Sequence, residues 1–278
     1  MCRLYGFRAN ELTKVECTLV YAQNALLRQS ASDLRGRSHS DGWGIGFYED
    51  HRPEIERRDT AAHKDEFFSL TAARMYATTV VAHVRAATVG AHSQLNTHPF
   101  IHHTWAFAHN GTVRGFDAIG PRLVSETDPD LRELKQGDTD SETTFYWLLT
   151  RMRRADIDLD SAMIKPKELV SVFADAIDYL DRLCAHAEPE KPAQLNFLLT
   201  NGKLMVASRW RNSLHWLRRD GVQDCEICGI PHIRHSPEAS YKAIVIASEP
   251  ITHEAWIEVP ENCILAVDER LDTELQLV

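Results

Sequence analysis

Apolar residues recur along this chain in two periods, and the switch between them outlines alternating strand-rich and helix-rich blocks. Residues following Cys2 read as an opening strand. Leu19, Val20, Ala22, Leu26 and Leu27 then keep a helical spacing across residues 15–30, which the polar stretch 33–40 breaks. Asp41-Gly42 makes a tight turn into a strand over 43–48, whose glycines permit close backbone approach. A helix is predicted over 66–76, followed by an apolar strand over 79–84 that ends abruptly at the charge of Arg85. After a mixed loop over 86–99, a strand over 104–108 runs into His109-Asn110-Gly111, which on its own reads as a hairpin bend because Asn-Gly is a turn signal.

The second half repeats the alternation. Residues 120–137 are polar and hold Pro121 and Pro129, so a surface loop is expected there. Thr139 and Glu142 have capping-box spacing, and Phe145, Leu148, Leu149 and Met152 form the apolar stripe of the helix they open. Asp140 falls in its first turn, where a carboxylate complements the helix dipole. A second helix is predicted over 167–187 and is ended by Glu188-Pro189-Glu190-Lys191-Pro192. Strands at 195–200 and 203–208 flank Asn201-Gly202 as a two-residue hairpin, and further short strands fall at 213–217, 243–247 and 263–267. With no repeat, linker or low-complexity segment, the pattern predicts one α+β layered domain over residues 2–278.

Composition narrows the function classes. The chain has 278 residues, 44% of them hydrophobic, enough for a sizeable core, and a net charge of −9. That balance argues against nucleic acid, whose phosphates select clustered Lys and Arg. The short basic groups here (Arg151, Arg153 and Arg154; Arg209, Arg211, Arg218 and Arg219) alternate with apolar residues and read as solvated faces. No apolar run approaches a membrane span and no signal peptide opens the chain, so a cytoplasmic protein with no membrane partner is expected. The six cysteines are scattered and are expected to be reduced.

The chemistry is concentrated at Met1-Cys2. Cysteine is small enough for the initiator methionine to be trimmed, which leaves an α-amine and a thiol on one residue. An α-amine titrates near ~7.7–8.0 and a thiol near ~8.5, so the amine can take the thiol proton at neutral pH. The competing reading is a small core hydrophobe at the start of a strand. Gly42, Gly44 and Gly46 do not form a dinucleotide fingerprint, since no helix follows and the spacing differs. Cys225-x2-Cys228-x3-His232-x2-His235 has zinc-like spacing and reads either as a metal site or as a reduced surface loop. His92, His98, His102, His103 and His109 invite a second metal reading, but nucleophilic chemistry at Cys2 needs no metal and no cofactor, and none is assigned to catalysis.

Together, Cys2, Asp41-Gly42-Trp43-Gly44, His83-Val84-Arg85-Ala86-Ala87-Thr88, Asn96-Thr97-His98-Pro99, His109-Asn110-Gly111 and Thr139-Asp140-Ser141-Glu142 resemble the glutaminase domain of the class II glutamine amidotransferases, in order and spacing. The likeness covers residues 2–150, with 243–250 resembling a later core strand. It implies the N-terminal-nucleophile fold, two antiparallel sheets packed face to face between helical layers. It also implies Cys2 as nucleophile, Asn110 and Gly111 as oxyanion donors, Arg85 for a substrate α-carboxylate and Asp140 for its α-ammonium, with Thr88 and His98 lining the glutamine pocket. Ala86 stands where the family often has an aromatic residue, which widens the expected pocket mouth. The chain ends at Val278 without room for a synthase domain, so it looks most like the compact stand-alone subgroup of YafJ-like proteins and the hydrolase of ergothioneine biosynthesis. The implied reaction is cleavage of the γ-glutamyl amide of glutamine or a γ-glutamyl compound. The implied alternatives are an ammonia-donating subunit with a synthase or peptidase partner, and a binding or regulatory protein without chemistry.

Overall fold

The computed structural model describes residues 2–50, 52–161, 164–233 and 240–278. In chain order its strands are β1 (Arg3–Thr13), β2 (Trp43–Tyr48), β3 (Glu54–Arg58), β4 (Ala77–Val84), β5 (Phe100–His102), β6 (Trp105–Thr112), β7 (Gln194–Thr200), β8 (Met205–Arg209), β9 (His215–Asp220), β10 (Lys242–Ala247), β11 (Ile257–Glu258), β12 (Cys263–Val267) and β13 (Thr273–Leu277). Its helices are α1 (Leu26–Ala31), α2 (Glu66–Arg74), α3 (Phe116–Glu126), α4 (Pro129–Arg132), α5 (Asp140–Arg154) and α6 (Pro166–Ala187). Among the described residues the strands form two antiparallel sheets, one ordered β11-β9-β10-β1-β4-β2-β3 and the other β13-β12-β8-β7-β6-β5.

Strand alternation builds the layers. In β1, Tyr5, Phe7 and Ala9 point outward into a core shared with Leu26, Phe68 and Ala72 of α1 and α2. Leu4 points the other way, into the core between the sheets with Val81, Ala106, Ala108, Leu198 and Leu265. On the far side, Phe107, Phe197 and Leu199 meet Phe145 and Leu149 of α5 and Phe173, Ile177 and Leu180 of α6. The order is helix, sheet, sheet, helix, as the resemblance implies.

Five local expectations change. Residues 120–137 are mostly helical: Ile119 and Leu123 of α3 and Leu131 of α4 are buried against the α5 layer, and that burial overrides the Pro121 signal. His109-Asn110-Gly111 is interior strand, because β7 pairs with β6 through Asn110↔Asn196 and Gly111↔Leu195. The helix expected over 15–30 is split into a π-helical turn at Cys17–Tyr21 and α1. The β7–β8 turn spans 201–204, four residues closed by Asn201 Oδ1 accepting from the N–H of Lys203 (3.1 Å) and Leu204 (2.8 Å). Arg219 leaves the solvated face: its Nε and Nη2 donate to Glu254 Oε1 and Oε2 at 2.8 and 2.6 Å.

The close approach expected of the β2 glycines is present. A Cβ on Gly44 would lie 2.1 Å from the carbonyl oxygen of His98, a backbone atom in the segment crossing β2. Gly44→Ala is therefore expected to cost about 1–3 kcal/mol through overpacking. Urea unfolding checks this, and an unchanged midpoint would refute the packing argument.

Candidate active site

The site begins with the anchoring of the chain start. Arg3 is 3% exposed, and its Nη2 donates to Asp33 Oδ2 and to Glu249 Oε1 (2.8 Å), while Nη1 donates to the Cys2 carbonyl at 2.9 Å. Asp33 also accepts from the N–H groups of Arg35 and Arg37, each at 2.8 Å, and its Oδ2 lies 3.1 Å from His39 Nε2. Burial would raise the Asp33 carboxyl, but the Arg37 N–H, the Arg3 guanidinium and His39 outweigh it and hold the group well below the usual carboxylate range. Burial and then the Arg3 charge lower His39 to about 4 against the pull of Asp33, so it is neutral beside the ion pair.

This anchor places Cys2 immediately before β1, where its Sγ lies 3.5 Å from the Ala86 carbonyl oxygen and 3.4 Å from the Ala86 nitrogen, which donates to it. Burial raises the thiol above its ordinary value. The Ala86 backbone and Arg85 partly offset this, and Asp140 adds to it. Arg85 directly precedes Ala86, whose backbone meets the sulfur. A thiol held protonated in this way needs a base beside it.

Asn110, on β6, faces the same interior. Its Nδ2 donates to Ser248 Oγ at 3.1 Å, and that hydroxyl also accepts from the Leu4 N–H at 3.0 Å. One serine therefore ties the Asn110 amide to β1 two residues past Cys2. Asn212 Nδ2 donates to the Asn110 carbonyl at 2.8 Å, and Asn196 Oδ1 accepts from the Trp210 N–H at 2.7 Å, which fixes the segment behind the site. Gly111 is sterically dictated, since a Cβ there would lie 1.8 Å from the Gln194 carbonyl oxygen.

Asp140 stands in the first turn of α5, whose cap is Thr139 Oγ1 accepting from the Glu142 N–H at 3.1 Å. Glu142 does not close the box. Its carboxylate accepts from Gln136 (3.0 Å) and Gly137 (2.7 Å) instead. Asp140 Oδ2 accepts from the Val113 N–H and Oδ1 from the Ser141 N–H, both at 2.8 Å, which joins the helix to the end of β6. Arg85 is buried and shapes the loop that follows it: Nη1 donates to the Ala91 carbonyl at 3.2 Å and Nη2 to the Val89 carbonyl at 3.0 Å. Thr88 is exposed, and its hydroxyl lies 3.0 Å from that of Thr112 at the end of β6. His98 is buried between His83, 4.2 Å between ring centres, and Phe100, 4.7 Å away. Burial and then the neighbouring His83 and His109 keep its imidazole neutral.

The fold thus gathers Cys2, Asn110, Gly111, Arg85 and Asp140 where the two sheets meet α5, with Thr88 at the surface of the loop and His98 beneath it. Ser248 and the Asp33–Glu249 anchor were not singled out from sequence. Glu249 carried a readable signal: like Arg85, it interrupts the chain just after a buried apolar strand.

Solved structures of glutamine amidotransferases share this architecture. The "glutamine aminotransferase class-II domain protein" of Silicibacter pomeroyi matches with a TM-score of 0.63 at 17% identity over 99% of this chain and 98% of that one. The phosphoribosylpyrophosphate amidotransferase of B. subtilis matches with a TM-score of 0.60 at 15% identity, over 99% of this chain and 49% of its own. The layered fold is that of an N-terminal-nucleophile amidotransferase domain. The sequence profile of the class-II glutamine amidotransferases matches residues 1–270, and the chain belongs to that family. Relatives aligned along nearly their whole length include the "probable glutamine amidotransferase DUG3" of Saccharomyces cerevisiae (28% identity, 96% of this chain and 82% of that protein). The "putative glutamine amidotransferase YafJ" of Escherichia coli (28%, 93% and 94%) and the γ-glutamyl-hercynylcysteine sulfoxide hydrolase of Mycobacterium tuberculosis (26%, 97% and 94%) are similar. The chain therefore falls with the compact YafJ-like and ergothioneine-hydrolase-like members.

Two outcomes test the electrostatics. Arg3→Met leaves Glu249 buried without the Arg3 counter-charge and Asp33 with only the partly exposed Arg37 (3.3 Å), and is expected to lower stability by about 3–5 kcal/mol at neutral pH, read by urea unfolding. His39 (about 4), His83 (about 3) and His98 all titrate below the ordinary 6.5 because burial disfavours the charged ring. Below that value the unfolded chain binds more protons than the native one. Their contribution is thus full above about pH 6.5 and lost as pH falls toward 4, at up to about 1.4 kcal/mol per pH unit for each ring. A denaturation midpoint that stayed flat between pH 6.5 and 4.5 would contradict this.

Proposed function

We propose that this chain is a cysteine-nucleophile amidohydrolase that cleaves the γ-glutamyl amide bond of glutamine or a γ-glutamyl compound, with residues 2–278 acting as one glutaminase unit. The observation that carries the reading is the junction of Cys2 with Asn110: a buried thiol against the Ala86 backbone, and an amide tied through Ser248 to the same strand. After removal of Met1, the α-amine of Cys2 takes the thiol proton. Sulfur attacks the γ-carbonyl carbon, and the resulting oxyanion is stabilised by the Asn110 amide and the Gly111 N–H. Collapse breaks the C–N bond, and the departing amine takes its proton from the α-ammonium. Water then adds to the glutamyl thioester, giving its proton to the amine, and glutamate and free thiol result.

Substrate recognition falls to two buried charges. Arg85 takes the α-carboxylate, which replaces the carbonyls of Val89 and Ala91 on its fork, and Asp140 takes the α-ammonium through its remaining lone pairs. Thr88 and His98 shape the pocket from the loop and from below. Hydrolysis by water is supported over ammonia donation by end-to-end similarity to a γ-glutamyl hydrolase.

Cys2→Ala is expected to abolish glutamate release with the fold intact. Asn110→Ala should lower kcat by on the order of 10²–10³ with a smaller change in KM, because its amide acts on charge that develops in the transition state. Arg85→Lys and Asp140→Asn should mainly raise KM. Steady-state kinetics on a panel of γ-glutamyl amides decides, with folding checked by circular dichroism. An active Cys2→Ala protein, or glutamate release only after a second protein is added, would overturn the proposal.

A further inference from the structure

A second cluster of reactive side chains lies at the other end of β1. Cys17, on the π-helical turn after that strand, meets Cys225, Cys228 and His232 from the segment between β9 and β10. One ligand atom from each of the four lies within 4.8 Å of every other. A zinc tetrahedron with Zn–S near ~2.3 Å and Zn–N near ~2.0–2.1 Å has edges of roughly 3.5–3.8 Å, so shifts of about 1 Å reach it, the longer separations closing and the Cys228–His232 pair opening.

Both segments are shaped for the purpose. The Ile227 N–H points at Cys225 Sγ from 3.4 Å, the Gly229 N–H donates to the Cys225 carbonyl at 2.8 Å, and Gly229 holds φ +74°, a left-handed turn that reverses the chain just after Cys228. A backbone N–H aimed at sulfur stabilises a thiolate, the form a metal binds. His232 is pinned by its carbonyl accepting from the Lys14 N–H at 2.7 Å and by the Thr13↔Ile233 bridge, and its Nε2 lies 2.8 Å from Cys228 Sγ. Unliganded cysteines are usually isolated core hydrophobes, as Cys184 and Cys263 are here. Three unpaired sulfurs and an imidazole converging from segments some two hundred residues apart are not explained by packing, because Cys225 is only partly buried and Cys228 is exposed.

We propose that Cys17, Cys225, Cys228 and His232 form a structural zinc site that clips the segment after β9 to the end of β1. Four protein ligands complete a tetrahedron and leave no open position for substrate, which sets this site apart from the chemistry at Cys2. Sequence spacing suggested His235 as the fourth ligand. It lies outside the described residues, and Cys17 supplies the fourth ligand atom within the cluster.

Metal analysis of the full chain, purified without chelator, tests the assignment. One zinc per chain is expected, retained in His235→Ala and in the control Cys184→Ser, and lost in Cys17→Ser and Cys228→Ser. Cobalt substitution should give thiolate-to-metal charge-transfer bands and the d–d absorption of a tetrahedral site, and stripping zinc should lower Tm. Cys228 is exposed, so its variant keeps the test readable if Cys17→Ser fails to fold. Wild-type protein that carries no zinc and takes up no cobalt, a disulfide among the three cysteines, or zinc retained without Cys17 would each overturn the proposal.

Discussion

The buried guanidinium of Arg3 is the constraint on which the catalytic end of the molecule depends. It is the first side chain of β1, a strand paired on both sides by β4 and β10, and it satisfies two acidic groups drawn from opposite ends of the chain, Asp33 and Glu249. Taking these charges out of water is expensive unless they meet in good geometry, so few alternative positions of the chain start satisfy them. Strand register reinforces the restriction. A one-residue slip of β1 would turn Tyr5 and Phe7 into the narrow space between the sheets, where Gly6 now lies so close to Leu198 that a Cβ would stand 2.4 Å from its Cδ1. Cys2 inherits its position from both restraints.

Around that fixed point the interior holds many buried polar groups, and they act as connectors. Ser248 joins β10 to β1 and β6, Asp140 joins α5 to β6, and Asn212 with Asn196 closes the strand behind Asn110. Each exchanges hydration for a defined partner, which favours one arrangement of the layers over others of similar apolar burial. His83 and His98, kept neutral by burial, fill the space beneath the site without adding charge near the thiol.

The same burial sets the chemical problem at Cys2. A thiol held above its ordinary pKa is stable against casual oxidation but is a poor nucleophile until a base reaches it. The base proposed for it is carried on the same residue and needs no extra space beside a buried thiol. Arg85 would have a double part in the proposed mechanism, since the fork proposed for substrate also holds the carbonyls of Val89 and Ala91. The far end of β1 is tied down by different chemistry, sulfur and imidazole, so one strand is anchored at both ends by groups that packing alone would not bring together.

Much of this was legible in the residues themselves. Local signals act over a few positions: the strand period of 43–48 and 79–84, the Thr139 cap with its apolar stripe, and the ordered blocks around Cys2, Arg85, Asn110 and Asp140 were enough to indicate the layered fold and to nominate candidate site residues. What sequence could not decide depended on partners far along the chain. Asn-Gly at 110–111 is a turn signal locally, yet pairing with β7 holds it in a strand. Pro121 signals a break, yet burial of Ile119 and Leu123 against α5 keeps it in a helix. Capping-box spacing placed Glu142 on the Thr139 backbone, but the loop before it offered two better-placed donors. Ser248 beside Asn110, Arg3 between Asp33 and Glu249, and Cys17 beside Cys225 are meetings of residues separated by long stretches of chain, and only the closed tertiary structure, in which burial gives each polar group few partners to choose from, determines them.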